Sequence, residues 1–574
     1  MAGPPSSGGD EPKAPFGEQV ASLGSVYWIA NWMELVERFA YYGVRTVLPV
    51  FMVLSIADGG PEITHVQKGG IYAIWALVQS YVPIFSGTYA DRYGYKVTIA
   101  LSTVLKIIGY LLMGYCIALS DAVTGVPLAE ARPQHADLVY EIFFAGAMFL
   151  ALGTAIFKPG LQGLIAQQIP DKASGLGWGF FYQMVNIGGF IGPLIAGYLR
   201  VLEWEYVFLA CAGGITLNFL PLFAFREPEK SKEPDRRGPL ELTIDAVGGL
   251  LEPRLFYFTI AFAGFWLMFY QLFDILPNYI DDWVDSRAIA SGLIALTSES
   301  VVPTVNGGNL TQEWLININA LLISIFAFGV GYATGKMRSL AAIVVGIAIS
   351  AIAIYALGMD LAGWAIVLAI ALFSLGEMMA SPTKMRYLSG IAPPGRKGQY
   401  MGYVNMTVGI GWSIGSLVAG NWYEENGDKI NLARRYMEEE LHVAGAAQLE
   451  RGEVLERFYQ VAHVDPWQAR ELLFERYDPN GMWVIFALIG LLSMLMLIFY
   501  DRVVAAAEKR PSHTFNTRGR LWVRALLAPI TAISIFAFVR SPEPALGIVT
   551  GMFLLLLVAS FLLPEDRATG PKQV

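Results

Sequence analysis

The first long apolar segment of the chain, residues 26–54, contains four ionisable side chains, where a membrane span usually has few or none. These side chains are Glu34, Glu37, Arg38 and Arg45. A helix of about 29 residues is about 43 Å long, more than the roughly 30 Å hydrocarbon core of a bilayer, so the four groups cannot all lie at its ends. Because each costs about 2.5–3.5 kcal/mol near the centre of a span, we expect them to face a partner or a watery cavity.

Helical spacing brings most of these side chains to one side of the predicted helix, because residues three or four positions apart are neighbours. The shared face carries Glu34, Arg38, Tyr41 and Arg45, with Glu37 and Tyr42 beside it. Two interpretations are open: snorkelling charges or an inert buried ion-pair network, or a pathway for protons or a charged solute. All five histidines lie in polar connections, so proton chemistry inside the membrane has to use carboxylates.

The composition is that of a polytopic membrane protein: 55% of the 574 residues are hydrophobic, 15% are charged, and the mean hydropathy is +0.48. The formal net charge of −8 is not a nucleic-acid signature. Cys116 and Cys211 both lie in apolar segments, so we expect no structural disulfide. We find no nucleophile–base pair or metal-ligand spacing in the sequence, so we expect a protein that is not an enzyme.

The chain contains fourteen apolar segments, which we interpret as twelve membrane spans followed by a hairpin. They lie near residues 26–54, 69–90, 97–119, 138–168, 176–199, 205–225, 255–281, 311–335, 339–358, 362–391, 398–421, 481–500, 521–539 and 543–563. With the N-terminus inside, the inner loops carry roughly twenty Lys and Arg and the short outer loops about five. The positive-inside rule therefore predicts a multi-pass inner (plasma) membrane protein with both termini in the cytoplasm.

Two long polar connections divide the chain into predicted regions. The regions are a disordered cytoplasmic tail (1–24), an N-terminal six-helix bundle (25–225), a cytoplasmic linker (226–254), a C-terminal six-helix bundle (255–501) that contains an extracytoplasmic insertion (421–480), and a second linker with the hairpin (502–574). Helical patterning in the insertion predicts helices near 431–443, 450–462 and 466–477. Asp465 and Pro466 supply an N-cap and a first-turn proline to the third helix. We expect this insertion to be structural.

The connection between the second and third segments reads Gly87-Thr-Tyr-Ala-Asp91-Arg92-Tyr-Gly94-Tyr-Lys96. Its glycines predict a tight turn, and the Asp91–Arg92 pair can bridge neighbouring helix ends, which predicts a role in a gate. This sequence resembles the signature loop of the major facilitator superfamily. The resemblance implies an all-α membrane protein of two six-helix bundles, to which the C-terminal hairpin adds two spans.

Four further patches resemble the proton-dependent oligopeptide transporters of that superfamily. They are Glu34-Leu-Val-Glu37-Arg38-Phe-Ala-Tyr41-Tyr42, Phe157-Lys158-Pro159, Phe181-Tyr182-Gln-Met-Val-Asn186-Ile-Gly188 and Leu375-Gly376-Glu377-Met-Met-Ala-Ser381-Pro382. Asn319 matches the asparagine that this family carries in span eight. The resemblance covers residues 25 to 500 except the insertion, and it implies proton-coupled symport of di- and tripeptides into the cell by alternating access. It implies no cofactor beyond a proton gradient.

The residues suit such a substrate, because a dipeptide is a zwitterion with a nearly fixed separation of charge. The predicted substrate-binding residues are Arg45 and Lys158 for the carboxylate, Glu377 for the amine, Asn186 and Asn319 for the peptide bond, and Tyr41, Tyr42 and Trp266 for the walls. Glu34, Glu37 and Arg38 are the predicted proton-coupling residues. The expected partners are peptide, protons and the lipid bilayer, with the protein acting as a monomer. The alternatives are a facilitator of another small zwitterion, anion or drug-like compound, and a scaffold or sensor that does not transport.

The sequence departs from the family pattern in span seven, where Tyr270 stands in the place of a frequent acid and Asp274 lies one turn further outward. A bare buried Asp is costly, so we expect Asp274 to pair with Arg45 and close the outer gate. Alternatively, Asp274 caps the outer end of the helix in contact with water. Lys384 and Arg386 add unusual positive charge near the inner mouth.

Overall fold

A computed structural model describes residues 15–128, 132–227, 238–359, 361–392, 397–508 and 515–563. The described residues are almost entirely helical, with one two-residue pair of antiparallel strands. The helices before the linker are α1 Phe16–Ala21, α2 Ser25–Val53, α3 His65–Tyr81, α4 Pro83–Tyr93, α5 Tyr95–Gly114, α6 Cys116–Thr124, α7 Arg132–Gln168, α8 Ser174–Leu202, α9 Trp204–Thr216 and α10 Phe219–Ala224.

The second half begins with a linker helix and contains the short strand pair. Its elements up to the eleventh predicted span are α11 Pro239–Leu250, α12 Pro253–Phe269, α13 Gln271–Asp274, α14 Leu276–Trp283, α15 Arg287–Leu296, β1 Thr304–Val305, β2 Asn309–Leu310, α16 Gln312–Ile316, α17 Ile318–Gly335, α18 Ser339–Ala356, α19 Gly363–Ile391 and α20 Lys397–Asn426. The remaining elements are α21 Lys429–Glu439, α22 Val454–Ala462, α23 Pro466–Tyr477, α24 Gly481–Glu508, α25 Phe515–Arg540 and α26 Pro544–Leu562.

Eleven helical segments in the described part of the chain are long and apolar enough to cross a membrane. The other three predicted spans are helical as well: α2, the pair α3–α4, and α20. Helix α2 carries two glutamates and two arginines, and α3 and α4 are separate helices of 17 and 11 residues. The all-α membrane fold predicted from the sequence is therefore confirmed.

Two bundles pack side by side, and apart from α3 and α20 the long helices pack mainly against helices of the same bundle. In the first bundle α2 packs on α8, and α5 on α7; in the second, α18 packs on α19, and α12 on α20. The longest contact between the bundles is a seam between α3 and α20. Glycines allow this close approach: a Cβ on Gly69 would lie 2.5 Å from the carbonyl of Ser416, and one on Gly409 2.6 Å from Ser80 Cβ.

The hairpin α25–α26 lies against both bundles. Helix α26 packs on α3 and α20, and α25 packs on α12 of the second bundle. The Tyr81 hydroxyl lies 3.2 Å from Met552 Sδ, and the linker helix α11 contacts α4, α12 and α26. The hairpin therefore lies beside the α3–α20 seam, a position that hydropathy alone does not predict.

Breaks in the second and seventh predicted spans, and at the turn after the second, matter for the site. Pro83 begins α4 directly after α3, and Gly94 separates α4 from α5 with a φ of +107°, a backbone conformation that favours glycine. The seventh predicted span is interrupted at Tyr270 and again at Ile275, which leaves α13 as a single turn ending at Asp274. The tight turn predicted from the glycine-rich loop is present at Gly94.

The predicted tail requires a correction, because residues 16–21 form the helix α1 rather than a disordered segment. Pro15 precedes the helix, and Glu18 Oε1 lies 3.3 Å from Lys172 Nζ, which docks the helix on the connection before α8. Residues 1–14 of the predicted tail and 228–237 of the predicted linker lie outside the described residues.

The insertion contains the predicted α23, and the observed α21 and α22 begin within a few residues of the predicted bounds. Asp465 caps α23 by accepting hydrogen bonds from the backbone N–H groups of Trp467 and Gln468, as the sequence predicts. We call the end of the molecule that carries residues 427–480 the insertion face, and the end that carries α11 the linker face.

Candidate functional site

The charged residues of α2 form a buried cluster in the first bundle. Arg38 Nε lies 2.7 Å from Glu34 Oε1 and 3.4 Å from Glu37 Oε2. The other oxygen of Glu37 lies 2.8 Å from Nζ of Lys106 in α5, and the carboxylates and the lysine have no exposed side-chain surface. We call Glu34, Glu37, Arg38 and Lys106 the α2 cluster. It contains two carboxylates and two cations, so its formal charge is zero.

One oxygen of each carboxylate in the α2 cluster is buried and accepts no hydrogen bond from a described residue. These atoms are Oε2 of Glu34 and Oε2 of Glu37. A buried carboxylate oxygen without a donor is costly, and protonation of the carboxylate is one way to relieve that cost. The cluster therefore has the chemistry of a proton-binding site.

Lys158 in α7 lies within electrostatic range of the α2 cluster but is not part of it. Its charge interacts with those of Arg38 and Glu37, yet no hydrogen bond or ion pair joins it to another described residue. Phe157 beside it packs under the Lys106 ammonium, with 3.8 Å between Nζ and the ring centroid. Lys158 is therefore a partly buried cation that is available to an anion.

Glu377 is the corresponding anion of the second bundle. It lies in the middle of α19, and Asn319 Nδ2 in α17 donates to Glu377 Oε2 at 2.9 Å. Asn319 Nδ2 also donates to Ser374 Oγ at 3.0 Å, so both amide hydrogens are engaged. Among the described residues no cation pairs with Glu377. Asn319, predicted to bind a peptide bond, here holds this carboxylate in position.

The predicted wall residues do not all lie on one surface. Tyr42 and Tyr182 of the first bundle lie within electrostatic range of Glu377 of the second. The Tyr41 hydroxyl donates to Gln79 Oε1 at 3.3 Å. Other predicted binding residues are engaged within their own bundles: Asn186 Nδ2 donates to the Tyr182 carbonyl at 2.8 Å, and Trp266 Nε1 donates to Thr407 Oγ1 at 3.1 Å.

Arg45 and Asp274 form a buried ion pair between the bundles, as the sequence predicts. Arg45 also donates to the Phe273 carbonyl at 3.1 Å. The second oxygen of Asp274 accepts from Trp412 Nε1 at 3.0 Å and from Ser416 Oγ at 2.6 Å, so the carboxylate is fully engaged and does not cap a helix end in water. In this conformation Arg45 is occupied by Asp274, which leaves Lys158 as the cation better placed for a ligand.

Tyr270, which stands where the family often carries an acid, packs flat on Trp412 with 4.1 Å between ring centroids. Its aromatic ring therefore fills space beside the Arg45–Asp274 pair rather than supplying a charge. The predicted gate pair of the signature loop lies in α4, where the Arg92 side chain is exposed and its guanidinium carbon lies 5.6 Å from the Tyr93 ring centroid. The side chain of Asp91 lies outside the described part of the structure.

Several further contacts close the insertion face between the bundles. Lys68 Nζ donates to Asn278 Oδ1 at 2.5 Å, and Asn278 Nδ2 donates to the Pro49 carbonyl at 2.8 Å. Arg200 Nε lies 3.2 Å from Glu313 Oε2. These contacts join α2, α3 and α8 to the helices α14 and α16 of the second bundle at the insertion face.

The insertion adds an ion cluster to the same face. His65 Nε2, at the start of α3, lies 2.8 Å from Asp428 Oδ2, and Arg451 Nη2 lies 2.5 Å from the same oxygen. Burial acts to raise the pKa of Asp428, but Arg451 and His65 hold it below its ordinary range. A residue of the insertion is thereby joined to the first bundle.

Lys106, Lys68 and Trp412 are among the residues of this arrangement that the sequence analysis does not predict. A signal is present for the two lysines, because each is an isolated positive charge next to or within an apolar stretch of its helix. A charge inside a span is costly unless it has a partner, so such a residue is a site candidate by default. Trp412 carried no comparable signal, since a tryptophan in an apolar segment is ordinary.

Two helical bundles that enclose buried charges and contact each other through a closed face define a membrane carrier of the alternating-access class. The family model of the Major Facilitator Superfamily matches residues 32–416, about two thirds of the chain. The chain belongs to this superfamily.

Relatives with known names fall into two groups. Residues of this chain are 30% identical over 197 positions to "Peptide transporter YePEPT" of Yersinia enterocolitica, a match that covers 34% of each protein. "Multidrug resistance protein MdtH" of Proteus mirabilis is 24% identical over 419 residues, which covers 72% of this chain and 90% of that protein. A crystal structure of a POT family transporter in complex with 5-aminolevulinic acid superposes with a TM-score of 0.58 at 16% identity, covering 86% of this chain and 98% of that one. The fold is therefore that of known transporters.

Proposed function

We propose that the protein is a proton-coupled symporter that carries di- and tripeptides into the cell by alternating access. The observation that carries this proposal is a pair of opposite charges without ionic partners among the described residues, Lys158 in the first bundle and Glu377 in the second. A peptide has a carboxylate at one end and an amine at the other, so it can engage both bundles at once. Tyr42 and Tyr182, which lie within electrostatic range of Glu377, can supply hydroxyls and aromatic surface to the substrate.

The proton site proposed is the α2 cluster, with Glu34 and Glu37 as the groups that bind and release protons and Arg38 as their fixed counter-ion. The gate proposed is Arg45 with Asp274, which has to open when substrate enters from the insertion face. No cofactor is required, because the proton gradient supplies the energy. The protein acts as a monomer, since one chain contains both bundles and both charges.

The orientation proposed follows from the distribution of Lys and Arg. It puts the insertion face outside the cell and the linker face in the cytoplasm of an inner (plasma) membrane protein with both termini inside. The closed insertion face then corresponds to the stage of the cycle at which the outer gate is shut.

The name of the relative YePEPT supports the peptide assignment. A second candidate, export of a drug-like compound, is supported by the MdtH match, which covers more of the chain. The two functions require different chemical groups in the site. A lipophilic drug needs apolar surface, whereas a zwitterion needs the separated charges of Lys158 and Glu377.

Uptake of labelled dialanine by proteoliposomes tests the proposal. With an inward proton gradient we expect accumulation above the external concentration, and without the gradient we expect equilibration only. Excess unlabelled dialanine should compete, and its N-acetylated amide, which lacks both charges, should not. Absence of dialanine uptake together with gradient-dependent movement of a fluorescent lipophilic cation would favour the drug exporter instead.

A further inference from the structure

Lys106 is a fully buried lysine in α5 that nothing in the resemblance to peptide transporters assigns. Its ammonium lies 2.8 Å from Glu37 Oε1 and 3.8 Å from the centroid of the Phe157 ring. Space for its side chain depends on Gly153 of α7, because a Cβ there would lie 2.8 Å from Lys106 Cγ. The packing of α5 on α7 is thus adapted to bring this lysine to the carboxylate.

Lys106 completes the charge balance of the α2 cluster. Without it, Glu34 and Glu37 would share a single cation, Arg38, whose Nε is closer to Glu34 at 2.7 Å than to Glu37 at 3.4 Å. Glu37 would then carry a buried negative charge with only a distant partner. Lys158 is the remaining cation in electrostatic range of Glu37.

Lys106 and Lys158 are therefore alternative partners for the Glu37 carboxylate. Phe157 is next to both lysines: its ring contacts the Lys106 ammonium, and it directly precedes Lys158 in the chain. Because an opposite charge in a poorly solvated site attracts strongly, a Glu37 that lacks Lys106 would draw Lys158 towards itself. Lys158 would then pair with Glu37 and would no longer be available to the ligand.

We infer that Lys106 is a positioning residue for substrate recognition: by pairing with Glu37 it keeps Lys158 free to bind the carboxylate of the peptide. The inference rests on the proposed function and adds to it a residue that touches neither the peptide nor the route through the gate. The two lysines then have different tasks: Lys106 neutralises Glu37 in the proton site, and Lys158 binds the substrate.

The experiment measures peptide counterflow in proteoliposomes, which needs no net proton movement, for dialanine and for dialanine amide. The parent protein should prefer the free carboxylate. Lys106→Gln should lose at least tenfold in apparent affinity for dialanine and little for the amide, so that the preference collapses. Lys106→Arg keeps the charge and should retain the preference.

The double variant Glu37→Gln/Lys106→Gln removes both partners, so Lys158 is released and the preference for the free carboxylate should return. Lys384→Gln serves as the matched control, because Lys384 is also a buried lysine, but among the described residues it donates only to the Val404 carbonyl and Thr407 Oγ1 and lies over aromatic rings. It removes a buried ammonium without touching the α2 cluster. Its carboxylate preference should match that of the parent.

The outcomes separate the inference from the proposed function. No dialanine counterflow by the parent would contradict peptide transport itself. Parental counterflow with an unchanged carboxylate preference in Lys106→Gln would overturn the inference, as would a double variant that folds but stays unselective. Equal losses for dialanine and the amide in Lys106→Gln, unrelieved in the double variant, would also overturn it, because they indicate a general packing role.

Discussion

Helix α2 carries two buried ionic groups that differ in where their partners lie. The α2 cluster takes its partners from the first bundle, Arg38 from the same helix and Lys106 from α5. Arg45, about two turns further along, takes its partner Asp274 from the second bundle. A rocking motion of one bundle against the other leaves the first group intact and has to break the second.

The difference separates two tasks on one helix. A proton site has to keep its geometry through the cycle and change its charge, whereas a gate has to keep its charges and change its geometry. Buried ion pairs suit a gate, because breaking one by removal of a partner is costly while exchange of partners or re-exposure to water is tolerated. Variants that act on one group alone test whether the two tasks are separate.

Glu37→Gln should have the largest effect on the α2 cluster. Without a titratable group that exchanges with both sides, gradient-driven dialanine uptake should fall to background, while counterflow is spared because it needs no net proton movement. Both modes are measured in the same proteoliposomes. If Glu34→Gln and Glu37→Gln both retain gradient-driven uptake, the cluster is not the proton site.

Charge reversal tests the other group. Arg45→Asp and Asp274→Arg should each be inactive in every transport mode, because each brings two like charges together at the closed insertion face. The double swap restores opposite charges and should recover part of the counterflow. An Asp274→Ala variant that transports like the parent would mean that the gate does not depend on this pair.

Glu377→Gln should have a smaller and more selective effect. A charge-assisted hydrogen bond to a buried ion contributes about 1.5–3 kcal/mol, so its loss should weaken binding of free-amine peptides about tenfold or more. N-acetylated dialanine, which has no charged amine, should lose much less. Equal losses for the two ligands in competition assays would contradict the role of Glu377 as the amine site.

The smallest expected effect concerns Asp282, which lies beyond the spans at the insertion face and accepts a hydrogen bond from Tyr423 at 2.7 Å. The pKa of Asp282 is raised to about 7, mainly by burial and next by the negative charge of Asp428. Lys429 lowers this pKa and Asp281 raises it, both by smaller amounts. The folded state therefore binds this proton more tightly than the unfolded state. The contribution of Asp282 to stability is present at acidic pH and falls as the pH rises from about 4 to about 7.

Asp282→Asn keeps the acceptor for Tyr423 and removes the charge. Its melting temperature should exceed that of the parent by about 1–2 °C at pH 8, and the difference should shrink as the pH is lowered to 4. The measurement is thermal unfolding in detergent followed by tryptophan fluorescence. A variant that is less stable than the parent at pH 8 would show that the charge of Asp282 is stabilising.

The sequence was sufficient for features that depend on local pattern or on strong energetic penalties. Fourteen apolar segments could be found from hydropathy, and the Asp274–Arg45 contact could be predicted because an unpaired buried carboxylate is costly. The cap of α23 followed from Asp465 and Pro466. Each of these inferences needs only neighbouring residues or a rule that holds anywhere in a membrane.

Features that depend on which helices meet could not be predicted in the same way. Lys106 reaches Glu37 only because α5 packs closely on α7 at Gly153, and a glycine in an apolar segment does not reveal its neighbour. The docking of α26 against the α3–α20 seam is equally hidden, because a lipid-facing and a protein-facing apolar helix have similar hydropathy. The helix α1 is not predicted from the sequence because six residues next to a Gly- and Pro-rich segment are too few to show a helical period.

The difference between the two ionic groups also bears on how the chain is made. Glu37 and Lys106 are separated by 69 positions, so the α2 cluster can be neutralised once the third span has been synthesised. Arg45 cannot pair with Asp274 until a further 229 residues have been synthesised. At ordinary rates of translation this is a delay on the order of ten seconds, during which a membrane-embedded arginine has no acidic partner from the second half. The growing first bundle therefore needs water, lipid phosphate or a membrane chaperone to shelter Arg45 until the seventh span arrives.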